Sequence, residues 1–549
     1  MDISGIQDFI YTITSKGALK GLRSRSFYLE IMMEHLIDSL LEKLFLSRVN
    51  LIYSGGGHAY ILLPNTEKVR KIVEDFEREV NEWFLEMFET QIYIAGGGAV
   101  CSASDFWNEP EGSYREIFRN ISKEISFKKL HRYSPKQIIK LNHSGMPYGE
   151  RECSVCHRHN YLKDGETECE ICWALKQMSG NILKGDFFTV TSKKEKTCLP
   201  LSGNCYLVTD TESTLRKRMK EDKYYIRSYS KNKPYSGYYV STKLWVGDYV
   251  NGETFEELGQ RATGIERIAV MRADVDNLGQ AFVRGFENEK NGSKYVTLSR
   301  TATFSRKLSM FFKYHINSLL KEGGYSILEE EAQMEKEDDR RNALIVYSGG
   351  DDIFIVGAWD DIIGFAVDLH DNLMEYSQDT LKISAGIGIY PSKYPISIMA
   401  RETGRLEEAA KSVEGKNAVA LFDEKYTFPW EEFIENVVEE KLYFIQKYFK
   451  VVDEKGKNFL YNLLELVRKR KEDKINIARF AYLLGRMEPK VQRGAKKEEI
   501  EEKRDLHREF SRKMYEWIRV EKDAKELEMA IYLYVYTKRE KEEHDGVNE

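Results

Sequence analysis

An α+β architecture is predicted, with two βαββαβ units flanking a four-cysteine module and a helical bundle closing the chain. Three observations predict it. Residues 343–356 place Ser348-Gly349-Gly350-Asp351-Asp352 between two apolar runs. Residues 49–63 repeat that sentence with Ser54-Gly55-Gly56-Gly57-His58 at the turn. Between them stand Cys153, Cys156, Cys169 and Cys172, two Cys-x-x-Cys pairs twelve residues apart. Apolar, β-branched runs meeting at glycines read as hairpins.

At 549 residues, 42% hydrophobic and 31% charged, the chain holds enough core for several domains. It contains no run of about 18 apolar residues, so no membrane span is expected. Met1-Asp2-Ile3-Ser4-Gly5 has neither a basic start nor a long apolar region, and a cytoplasmic protein is expected. With a net charge of −6 the whole molecule does not attract polyanions. Any nucleic-acid contact must come from local basic patches or partner subunits.

The first unit, 1–140, reads as a strand entering a helix over 3–11, a helix over 27–46, the 49–63 hairpin, a helix over 66–87 and a strand over 91–101. The second, 264–425, repeats the order. A strand ends in Asp274-Val275-Asp276-Asn277, a helix follows over 304–320, then the Gly-Gly-Asp-Asp hairpin, a helix over 359–376 and a strand over 381–390. An acidic insert at 329–341, expected to be looped, accounts for the longer spacing. Two ferredoxin-like βαββαβ units are the economical reading. In the first, Ser4 stands for Asp276, and Gly57-His58 stand for Asp351-Asp352. One remaining carboxylate, Asp2, cannot hold magnesium against its hydration shell, so this copy is expected to be silent.

The module at 141–263 carries the cysteines, whose spacing predicts a closed four-thiolate zinc site that folds a loop-rich segment. His157 and His159 flank the first pair and are not expected to replace a thiolate. A mixed β region over 180–262 interleaves Arg216, Lys217, Arg218, Lys220, Lys223, Arg227, Lys231 and Lys233 with Tyr224, Tyr225, Tyr229 and Tyr235. That composition suits RNA, although a solvated charged face is the stronger expectation. Lys128, Lys129, Arg132 and Lys136 form a lesser patch. Residues 426–549 read as a helical bundle, with a charged separator over 496–505 and a disordered tail over 538–549.

If both strands of the second unit lie side by side, Asp274, Asp351 and Asp352 converge. Three carboxylates suit paired magnesium or manganese ions, and paired ions serve in-line displacement at phosphorus. Gly349 and Gly350 leave room for phosphates or sugar, and Lys411 and Lys416 can neutralise a triphosphate.

These features resemble nucleotidyl cyclases and palm polymerases of the Gly-Gly-Asp/Glu type. With Asp2-Ile3-Ser4-Gly5-Ile6-Gln7-Asp8-Phe9-Ile10 and Leu22-Arg23-Ser24-Arg25-Ser26-Phe27-Tyr28-Leu29, the chain resembles the large signature subunit of type III-A CRISPR effector complexes, Csm type, over nearly its whole length. The resemblance implies synthesis of cyclic oligoadenylate from ATP on target-RNA binding. It implies metal ligation by Asp274, Asp351 and Asp352 with the Val275 carbonyl, and nucleotide contacts from Ser348, Gly349, Gly350, Asn277, Lys411 and Lys416. Ser54, Gly55, Gly56, Gly57 and His58 would hold another ATP. Implied partners are guide RNA, target RNA, the subunit that binds the guide 5′ end and the small helical subunit. Relatives usually begin with a histidine–aspartate nuclease domain. Here Met1 abuts the first strand, and His370-Asp371 and His544-Asp545 lack suitable neighbours, so DNase activity is not expected of this chain. Two alternatives remain: a stand-alone nucleotidyl cyclase, and a non-catalytic scaffold, which intact Asp351 and Asp352 argue against.

Overall fold

In the computed structural model the described residues are 1–13, 18–143, 152–158, 162, 166–287, 290, 292–334, 340–452, 458–470, 473–489 and 497–539. His159, His544-Asp545, part of the acidic insert and most of the tail lie outside them.

The first sheet comprises β1 (Asp2–Ser4), β2 (Leu51–Gly55), β3 (His58–Ile61) and β4 (Tyr93–Ala95), in the order β2-β3-β1-β4. The strand expected to reach residue 101 stops at Ala95 because Gly96 and Gly98 turn their amides to Glu77 and Glu124 rather than to a ladder. The four-cysteine module leads through the helix Glu170–Lys184 into a second sheet. Its strands are β5 (Phe187–Thr191), β6 (Leu199–Leu201), β7 (Cys205–Asp210), β8 (Tyr225–Lys231), β9 (Tyr235–Ser236) and β10 (Val240–Leu244), in the order β6-β7-β5-β8-β10-β9.

The third sheet runs β12 (Ala343–Ser348), β13 (Asp352–Ala358), β11 (Ile268–Val275), β14 (Ile383–Tyr390), β15 (Ala418–Leu421) and β16 (Thr427–Pro429). Its first four strands repeat the order of the first sheet, so the duplication read from the sequence is a duplication of topology. Central β11 is buried on both faces. Ala269, Met271, Ala273 and Val275 join a core shared with the long helices and the C-terminal bundle. Ile268 and Val270 join a core shared with the first sheet and the cysteine module. This two-sided burial is why β11 reads as a nearly continuous apolar run.

The helix expected over 304–320 spans Leu298 to Glu322 and contains a π-helical turn, Phe311–His315. The insert expected to be looped forms a short helix, Glu330–Met334. The C-terminal helices include Asn458–Lys469, Ile475–Gly485, Lys497–Arg519 and Glu521–Lys538. The charged separator is no separator. From Lys497 onward it opens a helix whose other face buries Phe510, Met514 and Ile518, so its charges are one face of an amphipathic segment. The bundle docks on the third sheet: Tyr536 O accepts from Ile265 N at 2.9 Å, and the Trp359 and Tyr536 rings meet edge-on at 5.6 Å. Among the described residues no helix is long and apolar enough to cross a membrane.

Candidate active site

Asp274 sits near the end of β11, directly opposite Asp352 on β13 and Ser384 on β14. Asp351 closes the hairpin turn, and its carbonyl accepts from Val275 N at 3.1 Å, tying the tip to the strand end. Two strands thus deliver three carboxylates to one edge of the sheet. Burial pushes the Asp352 carboxyl up to about 8, with the charges of Asp351 and Asp274 adding to the effect. Burial raises Asp274 to about 6 against the pull of Lys411. Asp351 is raised too, again by burial, against His58 and Lys411. Crowded, desolvated acids of this kind are short of a cation.

Lys411 supplies one. Its Nζ lies 2.7 Å from Asp274 Oδ2 and 2.6 Å from Glu407 Oε1. Buried Glu407 also accepts Arg272 Nε at 2.9 Å. Asp274 and Asp352 are partners in register and Asp351 adjoins them in the turn, but the ligand oxygens of the three do not all come within 4.8 Å of one another. The expected convergence on one spot is therefore met by the backbone and not by the side chains. The Asp352 carboxylate is buried with the Tyr347 hydroxyl beside it, and its Oδ1, outside good hydrogen-bond geometry, suits a hard cation. Lys416 reaches Asn277 Oδ1 at 2.9 Å, and Asp276 is occupied by Ser384 Oγ at 2.9 Å and Asn417 N at 3.0 Å.

The opposite wall comes from the first unit. A Cβ placed on Gly56 would lie 3.2 Å from Asp351 Oδ1, and one placed on Gly350 would lie 2.3 Å from the Tyr53 hydroxyl. The two glycine tips therefore face each other across a narrow gap. Tyr53 and Tyr347, equivalent positions in the two hairpins, lean over this junction. Ser54 donates to Glu34 Oε1 at 2.8 Å and Ser348 donates to the Phe312 carbonyl, so both serines brace their own hairpins. Lys313, on the π-helical turn, bridges to Glu30 of the first unit at 2.6 Å. Beside the junction a cavity of about 350 Å³ is lined by Tyr11, Gly56, Arg272, Tyr347, Asp352 and Glu407, among others. In the first unit Asp2, buried where Asp274 would stand, pairs with Lys129 at 2.6 Å and His58 at 3.2 Å. Sequence reasoning missed Tyr53, Tyr347, Arg272 and Glu407. None carries a local signal, because each acts across elements far apart in the chain.

Cys153, Cys156, Cys169 and Cys172 are buried with all four sulfurs within 4.8 Å of one another, a donor set suited to zinc. Arg25 Nη2 lies 3.0 Å from Cys172 Sγ and Arg158 Nε 3.3 Å from Cys156 Sγ. These buried guanidinium groups would offset the charge excess that four thiolates leave on a zinc ion held there. His157 points away and pairs with Glu152.

The candidate RNA surface divides, with Arg216, Lys217, Lys220, Lys223 and Tyr224 exposed and the remaining cations engaged. Arg218 is engaged by Glu195, Asp210 and Asp222, Arg227 by Glu42, Lys231 by Asp248 and Lys233 by Asp186, while Tyr229 is fully buried. These pairs tie the second sheet to its flanking segments and, through Arg227 and Glu42, to the helix Ala18–Lys43 of the first unit. In the lesser patch Lys128 pairs with Glu77, and Lys129 with Asp2. His370 binds Asp371 and stacks on Trp430 at 5.0 Å, a packing role.

Three family profiles match: Csm1 subunit domain B over residues 1–144, the second palm domain of Cas10/Cmr2 over 267–420, and the second helical domain of the CRISPR RNA silencing complex Cmr2 subunit over 446–540. A Mycobacterium tuberculosis protein described as the CRISPR system single-strand-specific deoxyribonuclease Cas10/Csm1 of subtype III-A is 46% identical, over 98% of this chain and 67% of its own length. The chain belongs to the Cas10/Csm1 family. It spans about two thirds of that relative. The Csm1–Csm4 subcomplex of the type III-A CRISPR-Csm interference complex contains a chain 25% identical to this one, with a TM-score of 0.68, covering 98% of this chain and 69% of the other. A Csm1–Csm4 cassette in complex with one ATP matches with a TM-score of 0.67 at 25% identity, over 96% of this chain and 69% of that one. Membership in Cas10/Csm1 makes the paired sheets palm domains, the second bearing the Gly-Gly-Asp-Asp hairpin.

Proposed function

We propose that the two palms form one composite site that joins ATP into cyclic oligoadenylate within a cytoplasmic type III-A effector complex, switched on by target RNA. The observation that carries this reading is the register of Asp274 against Asp352, with Asp351 at a tip facing the glycine turn of the first palm. In the reaction the 3′-hydroxyl of one ATP gives up its proton to solvent as its oxygen bonds to the α-phosphorus of another. The bond from that phosphorus to the bridging oxygen breaks, and pyrophosphate leaves with its electron pair. Magnesium or manganese held by Asp274, Asp351, Asp352 and the Val275 carbonyl would acidify the attacking hydroxyl and neutralise the leaving group.

The chain's own groups do the rest. Gly349 and Gly350 are expected to contact the nucleotide through their backbone, because the space beside their Cα atoms is already taken by the Tyr347 and Tyr53 hydroxyls. Lys411 and Lys416 stand beside the acids and can pair with the triphosphate. Gly55, Gly56, Gly57 and His58 form the wall that receives the second nucleotide. Ser54 and Ser348 serve this site by fixing the hairpins, and Asn277 by holding Lys416. The four divisions 1–140, 141–263, 264–425 and 426–549 then serve as receiving palm, zinc-stabilised linker, metal-binding palm and docking bundle. Guide RNA, target RNA, the subunit at the guide 5′ end and the small helical subunit are the partners this reading requires. Incubation of the assembled complex with ATP, manganese and target RNA should yield cyclic adenylates, lost in Asp351→Ala and Asp352→Ala. An assembled, RNA-bound complex without turnover would leave this chain a scaffold.

A further inference from the structure

The reading above needs metal at Asp274, yet Asp274 is already paired, and the pairing has a designed look on both sides of the molecule. Lys411 ends the helix Ile396–Lys411, which packs across β11 and β14. From there it spans two carboxylates, Asp274 at 2.7 Å and Glu407 at 2.6 Å. Glu407, one turn earlier on the same helix, is itself fixed by Arg272 at 2.9 Å, and Arg272 is on the same strand as Asp274. The first palm repeats the contact. Lys129, near the end of the helix Ser113–Leu130 that follows β4 as Ile396–Lys411 follows β14, pairs with Asp2 at 2.6 Å. There the partner carboxylates are gone, and Lys129 shares the buried acid with His58, which lies 3.2 Å from it. A cation is needed at this strand position whether or not a metal can be recruited.

We propose that Lys411 is a displaceable internal counter-ion for Asp274 and that Glu407 is the positioning residue that parks it. This rests on the assignment of Asp274, Asp351 and Asp352 as cation ligands. Without divalent metal the ammonium bridges Asp274 and Glu407. A metal ion at the aspartates competes for Asp274, and the ammonium withdraws onto Glu407, one helical turn away and anchored by Arg272. From that parking place it remains free to meet the incoming triphosphate. Buried Glu407 keeps a cationic partner throughout, and in the absence of metal the three crowded acids are not left unneutralised.

The test is direct binding of Mn²⁺ by the full chain without nucleotide, followed by electron paramagnetic resonance, alongside ATP turnover. Lys411→Met removes the competitor, so Mn²⁺ should bind about tenfold more tightly, the scale of one charge-assisted hydrogen bond, while KM for ATP rises. Glu407→Gln removes the parking place and should weaken Mn²⁺ binding by a similar factor; Glu407→Asp should restore part of it. Wild-type affinity in Lys411→Met, with binding still lost in Asp351→Ala, would overturn the counter-ion role alone. Mn²⁺ binding unaltered by Asp351→Ala and Asp352→Ala would overturn the metal site and this proposal together.

Discussion

Gly350→Ala tests whether the two palms must touch. Gly350 does not require a left-handed backbone, so the substitution carries no conformational penalty of that kind. Its new Cβ would lie 2.3 Å from the Tyr53 hydroxyl of the opposite hairpin, while the ring carbon bearing that hydroxyl is 3.4 Å away and Gly55 Cα 3.6 Å away. Only the hydroxyl is too close, by about 1 Å relative to ordinary van der Waals contact. If the tips separate to relieve it, a 1 Å displacement of reacting groups should cost about 100-fold in turnover. The folding penalty stays near the 1–3 kcal/mol of an overpacked contact, a small Tm change for a chain this size. Tyr53→Phe deletes the offending atom, so Gly350→Ala/Tyr53→Phe should recover most of the activity. Gly349→Ala is the control: its Cβ meets both the Tyr347 hydroxyl at 2.3 Å and Asp352 Oδ1 at 2.6 Å, so removing one hydroxyl cannot rescue it. Adenylate yield per complex and thermal unfolding measure both sides. Full activity in Gly350→Ala, or a double variant no better than the single, would refute the composite site.

Asp352→Asn should raise Tm in metal-free buffer at pH 8 while abolishing turnover. The folded chain holds the Asp352 proton up to about 8, far above the unfolded value near 4, so the wild type loses stability as pH climbs through that window and the variant does not. The gain should vanish at pH 4, and Mg²⁺ should stabilise the wild type only; a Tm gain independent of pH would contradict the burial argument. For the cysteine module, a metal-release assay on denatured protein should find about one zinc per chain, and Arg158→Met should lower zinc retention about 10–100-fold through loss of its contacts to Cys156 and Cys169. Retention equal to wild type would leave Arg158 a packing residue only.

Local chemistry made much of this protein legible before any coordinates. Glycine pairs beside apolar runs mark hairpins whatever surrounds them, and paired cysteines at fixed spacing mark a metal knot, because both signals depend on neighbours in sequence. The order of the two palms was readable for the same reason. The charged start of Lys497–Arg519 misled, since a helix with one wet face looks like a linker until its buried Phe510 and Met514 are seen from the side.

What sequence alone determined is therefore the inventory: two duplicated units, one stripped of its acids, a thiolate set and three candidate metal ligands. Tertiary structure decided how that inventory is used. It set the tips of Gly56 and Gly350 against each other, spent Arg218, Arg227 and Lys231 on internal pairing, and placed Lys411 on Asp274 rather than in open solvent. The reason is that electrostatic pairing and steric contact depend on distance in space. Residues far apart along a chain leave no periodic trace of either until the chain is folded.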